Sequence, residues 1–381
     1  MPDTPCVPDA RKLRELFEHA RAPTFGIEEE AMVLDPVTLD LASSAERLLE
    51  AMPQGHGFKL EMPASQLELV TQPHSDIESL TSELQKARLR LAAGVGEQAL
   101  LAAAGAHPFA APEGELNRGK RYRQMASEYG VIARHQLVCG LHVHIGLSGP
   151  ERVLAVYNAL RGYLPDLAAL GANAPLRAGR DTGLASVRPL IAGLLPRQGV
   201  PPIYESWEHL AGDLKWGTAA VQLEGSRGWW WELRLHAELG TLEVRVPDAQ
   251  STIADAAALL TATCALVLWL ARRHDEGEQL AVAPTWRIAE NRMSALRDGV
   301  HGTMLDLRTG ETMPTEERLH ELLETIGPLA EEIGGGHSLA HARTLIERNG
   351  ADRQREAAQD GAFAAVQMLC NDFLAPPERT D

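Results

Sequence analysis

The sequence is poor in cysteine and in positive charge, and both shortages exclude classes of protein. Four cysteines, Cys6, Cys139, Cys264 and Cys370, are spread over 381 residues and show neither the paired spacing of a zinc site nor the density of a disulfide-stabilised domain. The formal net charge is −16, and no stripe of lysine and arginine with interleaved aromatic residues is present, so nucleic acid is not expected as a partner. Unpaired thiols and a first segment without an export signal predict a cytoplasmic protein.

Long apolar runs and the common nucleotide-binding loops are also missing. The longest apolar stretch, Ala256 to Ala271, is shorter than the ~20 residues that cross a bilayer, so we predict a helix buried in the core and no membrane contact. Neither G-x-x-x-x-G-K-[ST] nor G-x-G-x-x-G after a strand occurs, which argues against a P-loop kinase and a Rossmann enzyme. If the protein binds phosphate groups, metal ions and arginines must hold them.

The sequence does contain an irregular alternation of strand and helix patterns, which predicts an α+β fold rather than a βαβ repeat. Alternating apolar residues predict strands over 24–34, 66–71 and 136–147, and two strands within 229–246 joined by a turn near Gly240. Helical periodicity predicts helices over 75–104 and 151–170 and a mostly helical part after Ser251. The stretch richest in glycine and proline, 193–202, is predicted to be a loop over a site rather than a linker, so we predict one domain spanning residues 1–381.

Three consecutive carboxylates stand on the first predicted strand. In the segment FGIEEE, alternation places Glu28 and Glu30 on one face and Glu29 on the other. A single acidic run of this kind is more often a solvated edge strand. It becomes informative because other predicted strands carry further charged residues and histidines, namely Glu61, Glu68, His142, His144, Glu243 and Arg245.

This set of acids predicts a site for divalent cations. If the carboxylates converged without cations, each pair at ~4 Å would repel by about 4 kcal/mol at an effective dielectric near 20. Hard oxygen donors with at most one imidazole suit Mg²⁺ or Mn²⁺ better than zinc, and Mg²⁺ usually bridges to phosphate oxygens. The acids therefore indicate a nucleotide such as ATP. Guanidinium groups suited to its phosphates occur at Arg245, Arg234, Arg188 and Arg180.

The segments around these residues resemble the type 2 glutamate–cysteine ligases, also called carboxylate–amine ligases. In chain order they are FGIEEE, LEMPASQLELVT, GAHPF, RYRQM, CGLHVHIG, GRDTGLASVRP, WWWELR, GTLEVRVPD and ENRMSALRDG, from Phe25 to Gly299. No single segment is specific, but the ordered combination is. The resemblance implies a curved, mainly antiparallel sheet that forms a funnel-shaped active site backed by helices, similar to the catalytic domain of glutamine synthetase and the guanidino kinases.

The resemblance also implies a role for each matching residue. Arg245 would hold the transferring phosphoryl group, and Arg180 and Arg188 would contact the substrate carboxylate or the phosphates. Arg234 stays a candidate for the nucleotide phosphates, and His144 would support the site from behind the metal ligands. The implied metal ligands are Glu28, Glu30, Glu61, Glu68, His142 and Glu243.

The implied reaction joins a carboxylate, glutamate or a similar acid, to an amine such as cysteine. ATP with Mg²⁺ or Mn²⁺ would convert the acid to an acyl phosphate, which the amine then captures. The resemblance further implies a homodimer. Two alternatives stay open on the residues alone: a metal-dependent hydrolase that uses His142 and His144, and a non-catalytic sensor of a nucleotide or an amino acid.

The chain departs from the family pattern in two places that bear on the substrate. It has Glu232-Leu233-Arg234-Leu235 where the family tends to have Asp-x-Arg-Pro. It also has Met293 and Asp298 where an aromatic residue is usual. Both departures predict a substrate pocket of a different shape, because a pocket that loses aromatic walls accepts a different ligand.

Overall fold

The computed structural model describes residues 9–18, 23–53, 57–221 and 228–375. Its strands are β1 (Thr24–Leu34), β2 (Phe58–Leu60), β3 (Gln66–Val70), β4 (Leu100–Ala102), β5 (Leu141–Gly146), β6 (Leu176–Arg177), β7 (Arg180–Asp181), β8 (Leu233–His236), β9 (Thr241–Val244), β10 (Thr303–Leu305) and β11 (Thr312–Pro314). Its helices are α1 (Ala10–Glu18), α2 (Ala45–Glu50), α3 (Ile77–Val95), α4 (Lys120–Tyr129), α5 (Val131–Arg134), α6 (Pro150–Leu160), α7 (Leu164–Leu170), α8 (Arg188–Ala192), α9 (Trp207–Val221), α10 (Ile253–Asp275), α11 (Thr285–Asp298), α12 (Thr315–Glu332), α13 (Gly336–Glu347), α14 (Gly350–Ala357) and α15 (Ala362–Phe373).

A seven-stranded sheet forms the centre of the fold. Its order is β2-β3-β1-β5-β9-β8, with β4 paired to residues 32–34 of β1. Every pairing in this sheet is antiparallel. Two small sheets, β6-β7 and β10-β11, complete the described strands. The predictions of an α+β fold, a mainly antiparallel sheet and a mostly helical C-terminal part are confirmed.

One face of the central sheet is apolar and packs against helices. Ile27, Val143 and Leu242, which alternate with polar residues along their strands, are at most 1% exposed and share one buried cluster with residues of α6 and α10. Among the described residues, α10 is the one helix long and apolar enough to cross a membrane, and 83% of its most apolar window is buried inside the fold. The predicted core helix is therefore confirmed.

Two predicted helices are shorter or interrupted. The helix predicted over 75–104 ends at Val95, because Gly96 adopts a φ of 54° that most residues avoid. The following segment Leu100–Ala102 pairs with β1 as a strand. The helix predicted over 151–170 is interrupted by a 3₁₀ turn at Arg161–Tyr163, after which Pro165 stands in the first turn of α7, where its missing N–H costs nothing.

The remaining sequence predictions near the site hold with one shift. Strand β5 begins at Leu141 rather than at Gln136, and just before it the Gly140 N–H donates to the Glu30 carboxylate at 2.6 Å. The predicted turn before β9 is present, and Gly240 has a φ of 64° there. Residues 193–202 contain no helix or strand and form the predicted loop.

Candidate active site

The register of the central sheet gathers the predicted site residues on the face opposite the helical core. Facing residues in antiparallel strands have Cβ atoms ~5 Å apart, so charged groups from neighbouring strands meet. The facing pairs, in order across the sheet, are Lys59 with Glu68, Glu68 with Glu30, Glu28 with His142, His144 with Glu243, and Glu243 with Arg234. Glu29 points to the other face, as predicted, where it is fully buried.

Most of these side chains border a cavity of about 400 Å³, a size typical of small-molecule sites, but His144 and Glu243 are not among its lining residues in the described chain. The loop 193–202 contributes Leu195 and Gln198 to its wall, in agreement with the predicted loop over a site. Glu243 lies beneath this lining and is fully buried. Of the predicted residues, those that line the cavity are Glu28, Glu30, Glu61, Glu68, His142, Arg188, Arg234 and Arg245.

Among the residues that the structure describes, three overlapping groups have the ligand atoms to hold a cation. Within each group, one ligand atom per residue lies within 4.8 Å of the other two. We call them the acidic triad (Glu30, Glu61, Glu68), the central triad (Glu28, Glu68, His142) and the Glu243 triad (Glu28, His144, Glu243). Every residue predicted as a metal ligand belongs to at least one triad, and His144, which was predicted only to support the site, belongs to one as well.

The acidic triad is crowded with negative charge. Burial raises the pKa of Glu30 to about 7, and the neighbouring Glu68 adds to the shift. Burial and the Glu30 carboxylate raise the pKa of Glu61 to about 7. Burial and Glu61 raise the pKa of Glu68 well above its usual range. Protons or cations must therefore neutralise part of this triad near neutral pH.

The two histidines present nitrogen atoms that suit a cation. Burial and the Arg245 guanidinium lower the pKa of His142 to about 3, so its imidazole is neutral. His144 Nδ1 lies 3.0 Å from the Thr241 hydroxyl, while its Nε2 is buried and has no hydrogen-bond partner in the described part of the chain. That nitrogen lies 3.6 Å from a Glu28 oxygen and 3.9 Å from a Glu243 oxygen. A cation between these atoms would satisfy all three, so the residues present fit a divalent ion.

Glu243 holds two of the predicted arginines against the triads. Its carboxylate accepts hydrogen bonds from Arg234 and from Arg245. Burial alone would raise the pKa of Glu243, but the Arg234 and Arg245 guanidinium groups outweigh it and hold that pKa well below its usual range. Both arginines therefore have fixed positions at the edge of the cavity.

Arg188 reaches the same cavity from the first residue of α8. It donates to the backbone carbonyl of Arg245 at 3.1 Å and to that of Val246 at 3.2 Å, and it lies 3.8 Å from the Asp248 carboxylate. These contacts place Arg188 and Arg245, which were predicted from separate sequence segments, at one wall of the cavity.

The structure does not bring Arg180 to the cavity, so its predicted part in nucleotide binding is corrected. Arg180 begins β7 and is exposed in the β6-β7 hairpin. The hairpin turns at Ala178 and Gly179, whose φ values are 50° and 76°, and this tight turn directs the strand outward before the chain returns to Arg188. Arg180 and Arg188 are close in the sequence, but only Arg188 lines the cavity.

Further charged residues line the cavity beyond the predicted metal ligands and phosphate-binding arginines, and among them are Lys59, Arg121, Glu232 and Arg292. The Nζ atom of Lys59 lies between Glu28 and Glu68, and Arg292 Nε donates to Glu232 at 2.6 Å. Three of the four stand in segments that carry the family resemblance, RYRQM, WWWELR and ENRMSALRDG. Lys59 precedes Glu61 by two residues, so strand alternation could have assigned it to the same face.

The two departures from the family pattern have different outcomes. Glu232 lines the cavity, as expected of a residue that shapes the substrate pocket. Met293 and Asp298 are not among the lining residues of the described chain: Met293 is 38% exposed, and Asp298 pairs with its neighbour Arg297 at 3.0 Å. The prediction that these two residues reshape the pocket wall is therefore wrong.

Comparisons with known proteins agree with this geometry. The sequence profile of glutamate–cysteine ligase family 2 (GCS2) matches residues 24–368. A protein of Rubrobacter xylanophilus, provisionally named glutamate–cysteine ligase 2-3, is 35% identical over 362 residues, which cover 92% of this chain and 96% of that protein.

Two solved structures share the fold. Glutamate–cysteine ligase of Francisella tularensis, in complex with AMP, has a TM-score of 0.68 and 12% identity, and the match covers 94% of this chain and 90% of that one. A bifunctional glutathione synthetase of Pasteurella multocida has a TM-score of 0.61 and 17% identity over 95% of this chain and 53% of that one. Because the family profile and the relative span nearly the whole chain, the protein belongs to glutamate–cysteine ligase family 2 and is an ATP-dependent carboxylate–amine ligase.

Proposed function

We propose that this ligase activates glutamate, or an acid of similar shape, with ATP and joins it to the amino group of cysteine or a related amine. The observation that carries the proposal is that three triads of candidate cation ligands lie together with three arginines, Arg188, Arg234 and Arg245, at one cavity. Bound Mg²⁺ or Mn²⁺ would neutralise the phosphate oxygens of ATP. The candidate ligands that the three triads supply are Glu28, Glu30, Glu61, Glu68, His142, His144 and Glu243.

The residues of the chain would orient the reactants and stabilise charge. An oxygen of the substrate carboxylate forms a bond to the γ-phosphorus as ADP leaves. The nitrogen of the neutral amine then bonds to the acyl carbon as phosphate leaves, and the phosphate takes up the proton that the nitrogen loses. Arg245 and Arg188 would donate hydrogen bonds to the oxygens on which negative charge develops. Arg234 would act with Arg245 on the nucleotide phosphates. No side-chain nucleophile is needed, because the substrate carboxylate itself attacks phosphorus.

Several finer features belong to the same proposal. The central sheet, with charged groups on one face and helices on the other, supports a funnel-shaped site similar to that of glutamine synthetase and the guanidino kinases. Residues from β1 through α11 line one cavity, which supports one catalytic domain over the whole chain. A cytoplasmic homodimer is proposed from the family resemblance and from the three described cysteines, which are free thiols.

Release of ADP that requires both an acid and an amine is the expected result with Mg-ATP. The purified protein would be given L-glutamate together with each member of an amine panel that includes L-cysteine, and the products would be analysed by mass spectrometry. A condensed product should appear with a mass equal to acid plus amine minus water. The matched control omits the amine, and its ADP release should be much slower because the acyl phosphate is not consumed.

The alternatives give different results in the same assay. Hydrolysis of one substrate without ATP, lost when zinc is removed, would support the metal-dependent hydrolase built on His142 and His144. Binding of Mg-ATP without ADP release from any acid and amine pair would contradict the ligase proposal and support a sensor.

Cation binding is expected to release protons near neutral pH. Without a cation, Glu30 and Glu61 each have a pKa of about 7, and a cation binds the carboxylate without its proton. The affinity for Mg²⁺ should therefore rise as the pH increases through about 7. Titration calorimetry in two buffers of different ionisation enthalpy should count more protons released at about pH 6.5 than at about pH 9. Equal proton release at both pH values would contradict the raised pKa values.

A further inference from the structure

The side chain of Lys59 already occupies the gap between two carboxylates of the central triad. In the β2-β3 register Lys59 lies directly opposite Glu68. Its Nζ atom is 3.5 Å from Glu68 Oε2 and 3.6 Å from Glu28 Oε1. These two glutamates are the carboxylates of the central triad, which His142 completes. An ammonium group therefore stands between the two carboxylates of the central triad.

The other two triads differ from the central one in their neighbouring cations. The acidic triad consists of carboxylates alone, and Lys59 is the one lysine among the lining residues of the described chain. In the Glu243 triad, Arg234 and Arg245 bind Glu243 but leave His144 Nε2 without a partner. Only the central triad has an ammonium group between its two carboxylates.

We propose, building on the proposed ligase function, that Lys59 serves as the third cation of this site, so that each chain binds two divalent ions and not three. An ammonium is a compact point charge with three donors. Two of these donors can be directed to Glu28 and Glu68. A divalent ion in the same gap would meet repulsion from the ammonium, and the negative charge that would attract it is already partly neutralised.

The third donor of Lys59 gives the residue a role with the nucleotide. Lys59 lines the cavity and its side chain is 56% exposed, so one N–H can point into the open space. An anionic group placed there, such as a phosphate oxygen of the nucleotide, would receive a charge-assisted hydrogen bond. Lys59 would thus join the acidic cluster to the phosphates in the way that a bridging metal ion otherwise does.

The number of bound Mn²⁺ ions tests this inference without reference to turnover. Electron paramagnetic resonance of free Mn²⁺, recorded during titration of the metal-free protein without nucleotide, counts bound ions per chain. We expect two ions for the wild type and three for Lys59→Met, because that change empties the gap at nearly constant side-chain length. Lys59→Arg, which keeps the positive charge, should still bind two. Lys12→Met, an exposed lysine on α1, controls for the loss of one charge and should bind two.

The outcomes separate this inference from the ligase proposal. Three ions in the wild type, or two in Lys59→Met with folding verified by circular dichroism, would overturn the role of Lys59 while leaving ADP-forming ligation intact. A rise from two to three ions in a protein that makes no condensed product would support the proposed role of Lys59 and contradict the ligase proposal.

The wild-type affinity for an ATP analogue should also exceed that of Lys59→Met by roughly tenfold, since one charge-assisted hydrogen bond to phosphate is lost.

Discussion

Substitution of Glu28 by glutamine is expected to lower kcat by a factor on the order of 10³ while the protein stays folded. Glu28 belongs to both the central triad and the Glu243 triad, and its oxygens lie 3.6 Å from both His142 Nδ1 and His144 Nε2. The amide keeps the shape of the side chain but removes its charge, so the Glu243 triad loses a charged ligand and Lys59 loses one of its two carboxylate partners. The rate of ADP release at saturating substrates measures the effect.

Glu97→Gln is the matched control for this prediction. Glu97 lies in the exposed turn after α3, far in the sequence from any cavity-lining residue, and it undergoes the same change from acid to amide. Its kcat should equal that of the wild type. Circular dichroism in the absence of cations should show that the Glu28→Gln protein stays folded, because the amide keeps the shape of the side chain. An unchanged kcat in a folded Glu28→Gln protein would remove Glu28 from the catalytic machinery.

The strands that carry the site were predictable from local patterns. Thr24–Leu34 was predicted with its observed bounds, because apolar and acidic residues that alternate over that length indicate a strand. Once the strand is fixed, Glu28 and Glu30 must share a face and Glu29 must leave it. The same reasoning places His142 and His144 together. The grouping of His144 with Glu28 and Glu243 was not predicted, because these partners come from other strands, whose register a single sequence does not give.

The charged residues that reach the cavity from elsewhere were less predictable. Arg121 in α4 and Arg292 in α11 have no periodic signal that distinguishes them from surface arginines, since their position depends on how those helices pack. Arg180 shows the opposite error. A sequence segment shared with Arg188 suggested a common site, but a hairpin turn at positive φ separated them. For Arg121, Arg292 and Arg180, tertiary packing rather than the local sequence pattern determines whether the side chain reaches the cavity.

Substitution of Arg88 by methionine is expected to cost about 3–5 kcal/mol in the free energy of unfolding, because it leaves an unpaired buried charge. Arg88 is 1% exposed and Glu29 is 0% exposed, and the guanidinium binds both carboxylate oxygens at 2.6 and 2.8 Å. It also donates to the carbonyls of Gln250, Ser251 and Phe373. One side chain therefore ties the reverse face of β1 to the loop before α10 and to the end of α15. Urea unfolding with a check of reversibility measures the loss.

Arg272→Met is the matched control, since Arg272 forms an exposed pair with Glu332 at 2.7 Å, with 47% and 54% of the two side chains exposed. Exposed pairs of this kind contribute ~0–1 kcal/mol. A double substitution, Glu29→Leu with Arg88→Met, should recover part of the lost free energy of unfolding, because it also removes the unpaired Glu29 carboxylate. The recovery is partial because the three backbone carbonyls that Arg88 contacts still lack a hydrogen-bond donor. Additive losses in the double variant would contradict a direct interaction between the two side chains.

Because Glu29 stands between Glu28 and Glu30, weakening this anchor should also lower Mn²⁺ affinity in Arg88→Met, although the substituted residue touches no cation ligand. A stability loss with unchanged Mn²⁺ affinity would show that β1 keeps its geometry without the anchor.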